Sequence, residues 1–182
     1  MRWNIFTIAA VTLATPALAA PSEWSMRVPA PGFVVGFDRA NSEQSIVERI
    51  PTGETVERWT RMLTSQRFMG RGRDPGPRGM LLNMQGLMKE ACPDGGTTAI
   101  VAMTVSGRPA ARMRADCPLD SQTGLPDTYF IVAFAGASDL FAEQVAFRRV
   151  PTSADVQFAT STLQQVSLCK TGSKAKGCAA GR

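Results

Sequence analysis

The chain of 182 residues contains no histidine and a single tyrosine, Tyr129. Without imidazole there is no Ser-His-Asp or Cys-His catalytic set and no His-ligated metal. Acid–base chemistry would fall to carboxylates, lysine or Tyr129. No Cys-x-x-Cys pair occurs, which argues against a zinc site and against a redox dithiol. No Gly-Lys-Ser/Thr follows a glycine-rich turn, so there is no P-loop. After the amino-terminal residues, no apolar run approaches the roughly 20 residues that a helical membrane span needs. The chain shows no internal repeat.

What is present starts with an export signature. Arg2 supplies an early positive charge, residues 5–18 are apolar, and Ala17-Leu18-Ala19 has the small-x-small pattern read by signal peptidase. Residues 1–19 are therefore expected to be a signal peptide. Residues 20–182 are expected to form one domain, periplasmic or secreted. No cysteine follows the cleavage site, so a bacterial lipoprotein anchor is not expected. The net charge of +5 becomes +4 when Arg2 leaves with the signal. That excess favours an anionic neighbour without naming one. A domain of this length buries about 70% of its unfolded surface, enough for its own core.

Four cysteines lie in the mature part, Cys92, Cys117, Cys169 and Cys178. An even count in an exported chain points to disulfides, with three pairings open. Proximity in sequence favours Cys92–Cys117 and Cys169–Cys178. Loop entropy assigns these about 3.5 and about 2.7 kcal/mol.

Residues 45–68 read as a hairpin. Ile46, Glu48 and Ile50 alternate with Val47 and Arg49, as in a half-buried strand. Pro51 and Gly53 reverse the chain. Residues 55–68 fit a helical stripe through Val56, Trp59, Met62 and Leu63. The threonines at 55, 60 and 64 favour a long strand instead. Upstream, residues 20–32 are proline-rich and read as an irregular lead-in. Phe33, Val35 and Phe37 mark a first strand.

Residues 69–78 contain two prolines and three glycines and form a loop. With Arg67, Arg71, Arg73 and Arg78 this is the most basic stretch. Arg71 and Arg73 are its candidate anion-binding residues. Met80, Met84, Leu87, Met88 and Ala91 then share one helical face. Met80, Met84 and Met88 have a spacing that can hold Cu(I), a soft ion. The same spacing also suits a core helix, where thioethers fill gaps.

Residues 97–105 read as a strand, 107–109 as a turn and 110–116 as a returning segment. Residues 129–135 are apolar on both parities, as in a central strand covered on both faces. Residues 141–148 read as a last strand with one wetter face. Ser153 is the expected N-cap of a closing helix through Val156, Ala159, Leu163 and Val166, followed by a tail from Lys170. The expected fold is α+β: an antiparallel sheet of about six to seven strands with two packed helices, order β-β-β-α-β-β-β-β-α.

Residues 48–66, 136–148 and 166–169 resemble segments of small exported proteins of Gram-negative bacteria, a group to which no activity is attached. The element order is similar to the Mog1/PsbP-like fold. These resemblances imply a layout and a compartment, not a chemistry.

Other constellations weigh less. Glu48, Glu54 and Glu57 gather near the hairpin turn, where a charged solvated edge is the simpler reading than a carboxylate-dependent hydrolase. Trp59 among arginines has the composition of a nucleic-acid surface. Export removes that partner. The function expected is a non-enzymatic envelope protein without a cofactor, binding a protein or an anionic envelope component. The alternatives are copper binding through the methionine helix and hydrolysis.

Overall fold

The computed structural model describes residues 23–26, 30–121, 123–173 and 178. The expected signal peptide lies outside them. The elements are β1 (Glu23–Met26), β2 (Phe33–Ala40), β3 (Gln44–Pro51), β4 (Arg61–Phe68), α1 (Gly76–Ala91), β5 (Gly96–Thr97), β6 (Val101–Val105), β7 (Arg108–Cys117), β8 (Asp127–Ala135), β9 (Leu140–Phe147), α2 (Ser153–Gln164) and β10 (Ser167–Lys170). Eight of the strands form one antiparallel sheet ordered β2-β3-β4-β9-β8-β7-β5, with β6 also on β7. β1 pairs with β10 in a separate ribbon. The α+β class, the antiparallel sheet and the two packed helices agree with the sequence expectation.

β8 shows why the sheet has two cores. Its two parities serve opposite faces, as a strand of period 2 must. Ile131 and Ala133 meet Leu81 of α1, together with Ala111, Met113 and Ala142. Val132 and Phe134 meet Ala159 and Leu163 of α2, together with Leu63, Phe141 and Phe147. A third cluster of Ile50, Trp59, Met62 and Ala146 closes the hairpin end.

Several boundaries differ from expectation. The second hairpin arm begins only at Arg61. Residues 52–60 form a loop, turned at Gly53 with φ of 92°. Glu54 braces that loop, accepting 2.7 Å bonds from both the amide and the hydroxyl of Thr60. The lead-in is not wholly irregular, because β1 finds a partner in the expected tail, where β10 lies. Residues 97–105 are interrupted at 98–100 between β5 and β6. β9 has no wet face: it lies between β4 and β8, and only Gln144 along it is half-exposed. The N-cap of α2 is Thr152, not Ser153. Thr152 and Asp155 form a reciprocal capping box.

Cys92 is bonded to Cys117 and Cys169 to Cys178, the pairing favoured by sequence proximity. The first bond ties the end of α1 to the end of β7, and the second tethers β10.

Candidate functional site

An open concavity among the described residues follows from the size of α2. This helix has 12 residues and packs over β8 and β9. The β6–β7 flank of the same face is left beside it as a groove of about 390 Å³. That volume falls within the roughly 300–1,000 Å³ of small-molecule sites.

The groove floor is set by strand register. Val101 pairs with Arg112, and Arg112 with Val132. Arg114 pairs with Phe130, and Met103 with Ala110. Side chains directly opposite in such pairs lie about 4.5–5.5 Å apart at Cβ. The floor therefore carries rows of apolar groups crossed by two arginines two residues apart. Leu163, Thr160 and Gln164 of α2 form the facing wall.

The two arginines differ. Arg114 is engaged: its Nε donates to Asp116 Oδ1 at 2.9 Å, and its guanidinium lies 5.1 Å from the Phe130 ring centre. Thr128 Oγ1 donates to the same carboxylate oxygen at 2.9 Å. Arg112 is exposed and makes no ion pair among the described residues. The groove lining contains no carboxylate.

The basic loop is divided by the fold. Arg67 is in β4, and its Nε donates to Asp139 Oδ2 at 2.7 Å. Asp139 also accepts from the Gly70 amide and the Ser138 hydroxyl, each at 2.9 Å. Burial raises the Asp139 pKa, but these hydrogen bonds and Arg67 outweigh it and hold it below the usual carboxylate range. Gly72 donates its amide to Ser138 O at 2.8 Å, and a Cβ there would stand 2.7 Å from Asp139 O. Only glycine permits that approach. The clamp leaves Arg71 and Arg73 exposed, with no ion pair among the described residues.

Met80 and Met84 pack against the cluster around Leu81, and Met88 is half-buried. The buried residue of this helix face is Leu81, while Leu87, placed on the stripe from sequence, is 65% exposed. Trp59 is buried against Ile50 and Met62, with the Arg148 guanidinium 4.2 Å from its ring centre, and is not free to stack on a base. Glu48 is in β3, half-buried, and burial raises its pKa. Glu57 is exposed, and hydrogen bonds lower its pKa.

No protein-family model matches this chain. No curated protein sequence matches it either. Solved structures do. The crystal structure of the Ran-binding protein Mog1p from Saccharomyces cerevisiae has a TM-score of 0.49 and 6% identity, over 81% of this chain and 94% of that one. A point mutant of the protein Mog1 has a TM-score of 0.50 and 6% identity, over 81% and 95% of the two chains. The second likeness is one of fold. It agrees with the Mog1 part of the resemblance read from element order, and at 6% identity it transfers no site residue.

Sequence reasoning passed over the groove residues. Arg112 and Arg114 alternate with Ala111, Met113 and Ala115, a period-2 signal of a basic face opposite an apolar one. The contribution of α2 to the wall had no local signal.

Proposed function

We propose that this protein is a non-catalytic binding protein of the cell envelope, and that the groove beside α2 is its receptor site. The observation that carries this reading is the groove itself: an apolar floor with a few polar groups at its margin, open at the flank that α2 leaves uncovered. The absence of histidine and the two disulfides support the non-catalytic and extracytoplasmic parts. The test uses N-phenyl-1-naphthylamine, a neutral apolar dye that fluoresces when it leaves water. The dye should bind one to one. Thr160→Trp and Ala99→Trp, both at exposed lining positions, should fill the groove and abolish binding without lowering Tm. Equal binding by wild type and both variants would refute the assignment.

A second reading belongs to the loop clamped by Gly72 and Asp139, where Arg71 and Arg73 are left exposed for an anionic envelope surface. Sedimentation with anionic vesicles should weaken in Arg71→Ser/Arg73→Ser. It should also weaken as salt shortens the Debye length from about 10 Å at 0.1 M to about 3 Å at 1 M. Equal sedimentation of the two proteins would leave the loop as a solvated connection.

A further inference from the structure

Resting on the receptor reading of the groove, we propose that its ligand is a single-chain amphipathic carboxylate, with the acid head on Arg112 and the chain along Met103, Phe130 and Leu163. Three observations converge on this class.

The first is charge. The groove lining holds two cations and no carboxylate. Arg114 already has the Asp116 carboxylate, which Thr128 orients. Arg112 has no such counterion among the described residues, and its guanidinium offers a planar fork suited to a carboxylate. A cationic ligand would meet like charge here, and a neutral one would make no use of the Arg112 charge.

The second is the setting of that charge. Arg112 stands in register between Val101 on one side and Val132 on the other. An anion reaching it therefore brings its nearest carbons against branched aliphatic groups. Next to this row, Met103 and Phe130 pack at the margin of the core that Leu163 helps to build. A polar anion such as free phosphate would gain nothing from these neighbours. An apolar tail gains about 25 cal/mol for each Å² removed from water.

The third is size. At about 390 Å³ the groove lies toward the lower end of small-molecule sites. This favours one chain over the paired chains of a bilayer lipid. The methionine at its margin is unbranched and adapts to a flexible tail.

The experiment displaces bound N-phenyl-1-naphthylamine at low ionic strength with decanoate, decanol or decyltrimethylammonium, all below micelle-forming concentrations. Decanoate should displace the dye about tenfold more effectively than decanol, the gain of one charge-assisted hydrogen bond. The ammonium should be the weakest. In Arg112→Gln, decanoate should fall to the level of decanol while decanol is unchanged, and added salt should erase the wild-type preference. Equal displacement by all three competitors would overturn the ligand class and leave the receptor reading intact. So would an anion preference that survives Arg112→Gln. Failure of the dye to bind at all would overturn the receptor reading itself.

Discussion

Asp155 occupies the third position of α2 and is buried, which alone would raise its pKa. Hydrogen bonds from Thr152 and Arg149, and the charge of Arg149, bring it instead to about 2. Arg61 Nη2 adds a contact at 3.0 Å to Oδ1. A carboxylate depressed on folding stabilises the protein above its unfolded pKa, near 4, and that stability is lost as pH falls through about 2. Because Arg61 and Arg149 are 28% and 42% exposed, solvent screening limits the charge effect to about 1–2 kcal/mol. Asp155→Asn should cost about that much at pH 7, by urea denaturation, and converge with wild type near pH 2. A cost independent of pH would contradict the charge assignment.

Asp127 behaves oppositely. Burial raises it to about 6 against the opposing charge of Arg148, with Asp120 adding to the rise, and its Oδ1 is buried without a hydrogen-bond partner. Here the folded state holds the proton more tightly than the unfolded chain. The Asp127 contribution to stability is greatest below about pH 4 and is lost as pH rises through about 6. Asp127→Asn should remove this slope and raise stability above pH 7 by about 1–2 kcal/mol. Melting temperatures from pH 4 to pH 8 check it, and parallel curves for the two proteins would refute it.

At the scale of elements, the methionine helix is the clearest choice between packing and ligation. Met84 packs on the Leu81 cluster. Met84→Leu conserves volume and should cost under about 1.5 kcal/mol. Titration with Cu(I) should show no stoichiometric site. A tight complex lost in the triple Met80, Met84, Met88 leucine variant would restore the copper reading.

The same scale shows what was legible in the sequence. β3 and β8 were readable because alternation expresses one buried face and a doubly apolar run expresses two. α1 was readable as a helix, although its apolar stripe misses Leu81, the residue that the core takes. The start of β4 was not, since Val56 and Trp59 are apolar for the hairpin cluster rather than for a strand. β1 and β10 were hidden because each needs a partner more than 140 residues away, at register Glu23 to Lys170. Arg67 looked like part of a basic loop because its partner, Asp139, is 72 positions distant. The groove was hidden for the same reason: its floor comes from β6–β8 and its wall from α2.

At the scale of the molecule, the two disulfides close short loops, one in the middle of the chain and one near its carboxyl end. If the export reading holds, intact mass of periplasm-purified protein should equal that of residues 20–182 less four hydrogens. Thiol titration of the folded, unreduced protein should find none. A retained amino terminus would remove the compartment on which the envelope reading depends.

The proposed groove takes a ligand, the loop at residues 69–75 stands apart from it, and α1 belongs to the core. Amide chemical-shift mapping of ¹⁵N-labelled protein with N-phenyl-1-naphthylamine separates these roles in one titration. Shifts should gather at residues 98–103, 112–114, 130–132 and 160–164 and saturate together at one equivalent. Shifts centred on the loop at residues 69–75 or on α1, or scattered without saturation, would contradict a receptor groove beside α2.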